Sequence, residues 1–270
     1  MAAQPVVVAV DGSEGAARAA SWAVAEAARR GARLELVLVN DDPARSEYAR
    51  NAVQKAAAGC AGQASQVEVS GAVAEGRPVD ELVRHSERAQ LMVVGSRGHG
   101  GFTDALLGGV SSGVATHACC PVVVVRVEAS SVVGPVVVGV DASEASAEAL
   151  AFAYESASRL GADLVALQAW HEEGLFAVPL PAPDRDRAQR DVERLLERQT
   201  APLRARYPHV RTSAVARHGH PVASLTGAAR EARLLVVGHR GRGGFEGLFL
   251  GSVAVGVLHH APCPVAVVRR

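Results

Sequence analysis

An internal repeat is the sequence feature that most constrains the fold of this chain. The stretch VVVAVDGSEGA, which begins at Val6, recurs as VVVGVDASEAS beginning at Val136, at an offset of 130 residues. The segment that begins at Leu91 recurs at Leu234, at an offset of 143 residues. Because such self-similarity marks a duplicated structural unit, two similar domains are expected. We place them at residues 1–128 and 135–270.

The two halves differ in length at one place. The change of offset means that the second half has 13 additional residues between Trp170 and Gly219. Prolines in HEEGLFAVPLPAPDRDR, which begins at His171, predict a surface loop. A charge-rich helix is predicted to follow from Asp186 to Arg206.

Apolar runs of strand length alternate with helical stretches in each half. In the first half the runs are Val6–Val10, Arg33–Asn40, Val67–Val73, Leu91–Gly95 and Pro121–Val127. They are continuous rather than alternating, as expected for a parallel sheet that is covered on both faces. Helices are predicted at Glu14–Arg30 and Pro78–Arg88, since glycine follows the first and proline begins the second. The pattern predicts an α/β fold with a doubly wound parallel sheet in each domain.

The fourth strand of each half runs into a glycine pattern of the form G-x2-G-x9-G. The glycines are Gly95, Gly98 and Gly108, and in the second half Gly238, Gly241 and Gly251. The first two of each set are expected to use positive φ and to leave bare backbone for a phosphate, and the third to open a helix whose N–H groups bind anions. The alternative is that these glycines only form a turn. We favour binding because the pattern occurs twice at the carboxyl end of a predicted sheet.

Charge and composition argue against nucleic-acid and membrane partners. The 28 basic residues balance 28 acidic residues, so no positive excess attracts nucleic acid. No apolar run is long enough to span a membrane, and the Met1–Pro5 start lacks a basic leader, so a cytoplasmic location is expected. The four cysteines have no C-x-x-C spacing and are expected to be reduced, mostly buried thiols.

The motifs of both halves resemble the universal stress protein family. They are VVVAVDGSE, EGRP, VVGSRGHGGF and CCPVVVVR in the first half, and VVVGVDASE, GHP, VVGHRGRGGF and APCPVAVVR in the second. The likeness covers nearly the whole chain. It implies a flavodoxin-like, Rossmann-like fold with five strands in each domain, and an adenine nucleotide as ligand. ATP is the expected cofactor, ADP and AMP stay open, and Mg²⁺ could accompany ATP.

The resemblance also implies how domains and partners associate. The two domains are expected to pair within the chain, with Pro121–Val127 against Pro264–Val268. A homodimer and a regulatory protein partner of unknown identity are expected as well.

Nucleotide-binding residues are assigned by this resemblance. They are Asp11, Val39, Gly95, Gly98, Gly108, Gly109, Asp141, Ala169, Gly238, Gly241, Gly251, Ser252 and Val253. The aspartates would contact adenosine, and backbone groups near Val39 and Ala169 would contact the base. Helix capping is the alternative for the aspartates, although Ser13 and Ser143 could cap instead.

One position departs from the family pattern. Gly109 stands where the family has serine or threonine, so the first site lacks a hydroxyl that Ser252 supplies in the second. Losing one hydrogen bond to a charged group weakens binding by about 1.5–3 kcal/mol, unless Ser111 or Ser112 replaces it. The second site is therefore expected to bind more tightly.

The roles of the loop arginines and of two histidines are less certain from the pattern alone. Arg97, Arg240 and Arg242 could contact phosphate or be solvated loop residues. His218 and His220 align with Glu75 and Arg77, which favours a surface role over nucleotidyl-transfer chemistry.

Three functions fit the sequence. We favour an ATP-binding sensor or regulator with at most slow hydrolysis, because no carboxylate of the glycine loop is shared by both halves. The alternatives are an ATP-consuming enzyme and a structural dimerisation module with degenerate sites. No catalytic residue and no metal ligand is assigned.

Overall fold

A computed structural model describes residues 4–98, 107–126, 133–171, 182–241 and 250–269, with the side chains at 182 and 183 left out. The predicted join between the halves, most of the predicted proline loop and the middle of both glycine loops lie outside the described residues. The charged helix of the second half begins at Ala182, four residues before the predicted start. The prediction began the helix after the prolines, but the first turn of a helix tolerates proline.

Strands and helices alternate through the first half as predicted. They are β1 (Val6–Ala9), α1 (Glu14–Arg30), β2 (Leu34–Asn40), α2 (Ser46–Gln63), β3 (Val69–Glu75), α3 (Pro78–Ser86), β4 (Leu91–Gly95), α4 (Gly109–His117) and β5 (Val122–Val125). A single 3-10 turn, Pro43–Arg45, lies between β2 and α2.

The second half repeats this order. Its elements are β6 (Val136–Gly139), α5 (Glu144–Leu160), β7 (Leu164–Trp170), α6 (Ala182–Arg206), β8 (Thr212–His218), α7 (Pro221–Ala228), β9 (Leu234–Gly238), α8 (Ser252–His260) and β10 (Val265–Val268). The predicted α/β class and the mostly parallel sheet are confirmed.

The chain forms two compact units whose strand content differs from the prediction. The first comprises Met1–Ala129 together with Pro264–Arg270, and the second comprises Ser130–Cys263. In the first unit the strand order is β3-β2-β1-β4-β5-β10. All its pairs are parallel except β5 with β10, where Val124 lies opposite Val265, as the resemblance implied.

The second unit has the order β8-β7-β6-β9, and all of its pairs are parallel. Five strands per domain is therefore not exact for the compact units, since β10 belongs with the first of them.

Serine residues cap the first helix of each half. Ser13 accepts a hydrogen bond from the Ala16 N–H at 3.1 Å, and Ser143 accepts one from the Ser146 N–H at 3.2 Å. Gly31 ends α1 in the left-handed region, with φ 59°, which glycine adopts without a steric penalty. Ser13 and Ser143 are therefore the N-caps, and helix capping is not the main role of Asp11 and Asp141.

A buried ion pair lies on the inner face of α1. Glu26 Oε1 is 2.6 Å from Arg30 Nε, and the two side chains are only 4% and 5% exposed. Arg29 also contacts Glu26 at 2.8 Å, and Arg30 donates to Gln90 Oε1 at 3.4 Å. A carboxylate is retained in this low-dielectric position because two guanidinium groups surround it.

The start of α1 packs against the end of β4 at van der Waals contact. A methyl group at Gly15 would lie 2.5 Å from the Arg97 carbonyl oxygen, which belongs to the backbone and cannot rotate away. We expect Gly15→Ala to lower the free energy of unfolding by about 1–3 kcal/mol, measured by urea titration.

Ala145→Gly is the matched control, because α5 already has an alanine at the equivalent position. It should change the free energy of unfolding by about 1 kcal/mol or less. An unchanged stability for Gly15→Ala would show that the segment after β4 yields instead.

The thiols behave as predicted from composition. Cys60, Cys120 and Cys263 are buried, Cys119 is exposed, and none of the four is joined in a disulfide. Burial raises the pKa of the Cys120 thiol to about 12. Cys120 therefore stays protonated at neutral pH and is a core residue rather than a nucleophile.

Helix α6 is the longest described helix, with 25 residues, and it is rich in charge. Within the described ranges, no helix combines the length and the apolar character needed to cross a membrane.

Candidate functional site

The strand order of each unit creates a crevice at one edge of the sheet. In the first unit β1 lies between β2 and β4, so the connections leave in opposite directions after β1 and β4. Ligands of doubly wound sheets bind beyond the carboxyl ends of the strands at such a point. We call the space beyond β1 and β4 the first crevice, and the space beyond β6 and β9 the second crevice.

An aspartate faces a glycine across each crevice. A methyl group at Gly98 would lie 2.3 Å from Asp11 Oδ2, and one at Gly241 would lie 2.3 Å from Asp141 Oδ2. Each pair joins the end of the first strand to the loop after the fourth strand. A side chain at either loop position would displace the carboxylate from this place.

Positive φ is therefore not the reason for these glycines, and that prediction was wrong. Gly95, Gly98, Gly238 and Gly241 do not have positive φ. Close approach replaces it, since a methyl group at Gly95 would lie 2.8 Å from the Gly15 carbonyl carbon.

In the turn after the first strand, each half has one residue with positive φ. They are Gly12, with φ 90°, and Ala142, with φ 65°. Ala142 is the one non-glycine residue with positive φ in the described part of the chain. Such strain costs about 1–2 kcal/mol and is commonly found beside functional sites.

A glycine-capped helix begins at each crevice. Gly108 and Gly251 are the N-caps of α4 and α8, and neither has a side chain that could cap. The Gly108 N–H donates to Ser96 O at 2.8 Å, and the Gly251 N–H donates to His239 O at 2.7 Å. The next N–H groups of each helix have no partner within the helix, which leaves them available to an anion.

The hydroxyl missing at Gly109 is not replaced by Ser111. The Ser111 hydroxyl donates to Gly95 O at 2.6 Å and so stabilises the strand-to-helix segment. Space for a side chain at Gly109 exists, since nothing lies within 4 Å of a methyl group built there. In the second half Ser252 is at this place and Val253 follows it in the first turn of α8.

Strand β2 runs beyond the end of β1 and presents a free backbone edge. The Val10 N–H donates to Val37 O at 2.9 Å. Every second residue of a strand directs its N–H and C=O to the same neighbouring strand, so Val39, like Val37, faces the side of β1. Because Val39 lies two residues beyond Val37, its N–H and C=O point past the end of β1. In the second half Val140 donates to Leu167 O at 2.9 Å, so Ala169 has the same orientation.

Each aspartate accepts a hydrogen bond from the backbone of the serine two residues on, and in the first half the Ser13 N–H donates to Asp11 Oδ1 at 2.9 Å. Asp141 Oδ1 accepts hydrogen bonds from the Ser143 N–H at 3.0 Å and the Ser143 hydroxyl at 2.6 Å. The Asp141 N–H donates to Ser146 Oγ at 3.0 Å, whereas the first half has Ala16 at that position. Asp11 is exposed and Asp141 is half-buried. The second crevice therefore has the more enclosed aspartate, on a backbone that Ser146 contacts.

We call the residues at the ends of β2 and β3, and at the ends of β7 and β8, the outer rims of the first and second crevice. The two rims differ, and the sequence analysis assigned none of these residues to the nucleotide site. Beside β2 and β3 lies a cavity of about 460 Å³ lined by Asn40, Asp41, Pro43, Glu75, Gly76 and Arg77. The equivalent positions of the second half are aromatic or basic: Trp170, His171, His218 and His220. The repeat offset had already aligned His218 and His220 with Glu75 and Arg77, and the offset of 130 at the end of β2 also aligns Trp170 and His171 with Asn40 and Asp41.

The ring cluster of the second rim is ordered by direct contacts. Trp170 donates from Nε1 to Gln189 Oε1 at 2.6 Å, and the ring of His218 lies 4.7 Å from that of Trp170. The rings of His171 and His220 are 6.3 Å apart, and His220 is the N-cap of α7. Among the described side chains, no group of three or more histidine, cysteine or acidic residues could hold a metal ion.

Comparison with known proteins gives one consistent result. The sequence profile of the universal stress protein family matches residues 3–126 and again residues 133–269. A universal stress protein of Mycobacterium tuberculosis is 36% identical over 288 residues, which cover 98% of this chain and 97% of the relative. One from Mycolicibacterium smegmatis is 34% identical, covering 98% of this chain and 96% of the relative.

A solved structure extends the likeness to three dimensions. A universal stress protein from Archaeoglobus fulgidus superposes with a TM-score of 0.72 at 22% identity, covering 100% of this chain and 97% of that chain. At this level of identity the likeness concerns the fold.

Proposed function

Because this chain belongs to the universal stress protein family, we propose that it binds an adenine nucleotide and acts as a nucleotide-dependent sensor or regulator. ATP is the proposed ligand, with or without Mg²⁺, and ADP and AMP are the competing ligands. Hydrolysis is proposed to be slow or absent.

One observation carries this proposal. Each half brings an aspartate, a free strand edge and a glycine-capped helix start to the same edge of its sheet. The helix N–H groups suit phosphate, and a strand edge that offers one donor and one acceptor suits the edge of a base. The aspartate, placed between them, suits ribose hydroxyls or base N–H groups.

The second crevice is proposed as the tighter site. Asp141 is half-buried and its N–H donates to Ser146 Oγ, and Ser252 adds a hydroxyl at the start of α8. Fixing a ligand-binding group before the ligand arrives reduces the entropy lost on binding.

We infer slow hydrolysis from the groups that the two crevices share. In the described part of each crevice, the aspartate after the first strand is the carboxylate that both halves retain. The shared set supplies a cradle and one carboxylate, whereas rapid hydrolysis needs an oriented water, a base and normally a metal ion. A ligand can still act by stabilising one conformation over another.

Location, assembly and domain limits are proposed together with this function. We place the protein in the cytoplasm, as a homodimer that engages a regulatory protein partner. The domain limits remain residues 1–128 and 135–270.

Reciprocal variants test the site assignment. Gly109→Ser gives the first crevice the hydroxyl of the second, and Ser252→Gly removes that hydroxyl from the second. Calorimetric titration with ATP should show roughly tenfold tighter binding at the first crevice for Gly109→Ser and roughly tenfold weaker binding at the second for Ser252→Gly. Absence of heat and of thermal stabilisation with ATP, ADP and AMP would refute nucleotide binding.

Hydrolysis is measured on the same samples. Sustained phosphate release at 1 s⁻¹ or faster, on the order of ordinary enzymes, would replace the sensor by an ATP-consuming enzyme.

A further inference from the structure

The turn from α6 into β8 carries basic and aromatic side chains that the first half lacks. We call Arg204, Arg206, Tyr207, His209 and Arg211 the arginine turn. All three of its arginines are exposed. At the offset of 143 residues the first half has, in the same order, Ala61, Gln63, Ala64, Gln66 and Glu68. One half thus presents three arginines where the other presents a single glutamate.

The backbone of this turn forms without the arginines. In the second half the Val210 N–H donates to Tyr207 O at 3.0 Å, and in the first half the Val67 N–H donates to Ala64 O at the same distance of 3.0 Å. Basic residues also suit the last turn of a helix, where they interact with the helix dipole. That explanation does not reach Arg211, which follows the end of α6 by five residues. The needs of folding therefore do not account for the whole cluster.

Several side chains of the arginine turn are held in place by neighbours. The Tyr207 ring stacks on the ring of the buried Tyr154, with 5.9 Å between the centres. The guanidinium carbon of Arg206 lies 5.5 Å from the centre of the Tyr207 ring, and His209 Nε2 is 2.8 Å from Ser158 Oγ. Such packing lowers the side-chain entropy that a partner must remove on binding.

The charges of the arginine turn are not neutralised by described neighbours. Within the described ranges, no carboxylate lies within ion-pair distance of any of its three arginines. This includes Asp163, which precedes the neighbouring strand β7. On the same side of the second unit, Glu155 pairs with Arg159 instead. The turn is therefore a local positive surface on a chain without net charge.

Strand β8, which begins just after the turn, is the outermost strand of the second unit. The Leu164 N–H donates to Arg211 O at 2.8 Å, and the Gly219 N–H donates to Trp170 O at 2.9 Å. Odd-numbered residues of β8 therefore direct their N–H and C=O to β7, and even-numbered residues direct theirs outward.

The outward groups are open only at the start of β8. Near its end, the Ala216 carbonyl accepts a hydrogen bond from Gln189 Nε2 at 2.9 Å. Among the described residues, none pairs with the outward N–H and C=O of Thr212 and Ala214. An edge strand with free backbone groups can accept one more strand. The open stretch adjoins Arg211.

We propose that the arginine turn and the start of β8 form a docking site for an acidic, extended segment of a partner protein. This inference rests on the proposed function, since it gives the regulatory partner a chemistry. The strand edge pairs with the backbone of the segment, and the guanidinium groups bind its carboxylates in planar pairs. The site lies at the amino end of β8, whereas the second crevice lies beyond the carboxyl ends of the strands, so nucleotide and segment can bind together.

A nucleic acid fits these features less well. A base needs an open aromatic face, and the Tyr207 ring is already engaged by Tyr154 and Arg206. Free backbone N–H and C=O groups in strand geometry match another polypeptide.

The experiment measures fluorescence anisotropy with the full chain and labelled probes at physiological salt. The probes are an octapeptide of alternating glutamate and valine, its glutamine–valine counterpart, and octathymidylate. The turn variant combines Arg204→Ala, Arg206→Gln and Arg211→Gln, and two of these changes install the residues of the first half. It should bind the acidic peptide about tenfold more weakly, because each exposed ion pair contributes a factor of about 1.5–5.

Two further variants make the result specific. The charge control combines Arg187→Gln, Arg190→Gln and Arg194→Gln on the exposed face of α6. It should change the affinity less than about twofold, since charges beyond the Debye length of about 8 Å are largely screened. Ala214→Pro removes an outward N–H from an edge strand, where proline is tolerated, and should weaken peptide binding about fivefold. Circular dichroism and urea titration verify that each variant is folded.

Four results would overturn the inference. They are equal losses in the turn variant and the charge control, equal binding of the glutamine–valine peptide, tighter binding of octathymidylate than of the acidic peptide, and full affinity in a folded Ala214→Pro. Calorimetry with ATP on the same samples keeps the two proposals apart, because the turn variant should retain ATP affinity. Peptide binding without any nucleotide binding would refute the nucleotide sensor and leave the docking site standing.

Discussion

Gly241→Ala is expected to weaken ATP binding at the second crevice by roughly 100-fold or more, with little loss of stability. The added methyl group would lie 2.3 Å from Asp141 Oδ2, so the carboxylate must turn away. Turning exchanges the hydrogen bonds that Ser143 donates to Asp141 Oδ1 for hydrogen bonds to water at this half-exposed side chain, so the fold loses little. The free energy of unfolding should change by about 1 kcal/mol or less, whereas up to two charge-assisted hydrogen bonds to the ligand are lost. Calorimetry with ATP and urea unfolding measure both quantities.

Two further variants make this result specific. Gly98→Ala should have the same effect at the first crevice, since the geometry there is the same. Gly227→Ala on α7 is the neutral control, because only Arg217 Nη1, at 3.9 Å, lies near a methyl group built there. Full ATP affinity in Gly241→Ala would mean that Asp141 does not contact the ligand.

Glu26→Ala is expected to lower the free energy of unfolding of the first unit by about 3–5 kcal/mol. The change removes the carboxylate that both Arg29 and Arg30 contact in the interior. The Arg30 charge then stays in a place where its side chain is only 5% exposed. Urea titration followed by circular dichroism measures the loss.

The second half supplies a matched control for this pair. It has Ser156 and Leu160 where the first half has Glu26 and Arg30. The double variant Glu26→Ser, Arg30→Leu should therefore recover most of the stability, because a buried pair can be exchanged for neutral packing at little cost. Glu14→Ala, in an exposed pair with Arg18, should change the free energy by about 0.5 kcal/mol or less. A loss for Glu26→Ala no larger than that for Glu14→Ala would contradict the argument.

Local signals made the fold and much of the crevice predictable. Glu14–Arg30 was predicted to the residue, since Ser13 and Gly31 are strong local signals for a helix start and end. The glycine pattern indicated the strand-to-helix turn because Gly108 and Gly251 occupy cap positions.

Long-range contacts were beyond such reasoning. The close neighbour of Gly98 is the Asp11 carboxylate, which is distant in sequence and comes near it through the sheet order. The sequence analysis therefore assigned Gly98 to the site correctly, but it gave positive φ as the reason instead of close approach.

The position of β10 has a consequence during synthesis. Its partner β5 otherwise pairs only with β4, and Val265 follows its partner Val124 by 141 residues. At about 5–20 residues per second, the ribosome needs roughly 7–30 s to make that stretch. For this time the edge of β5 is an open template for unintended strand pairing. The sheet of the first unit is therefore completed only after β10 has been made.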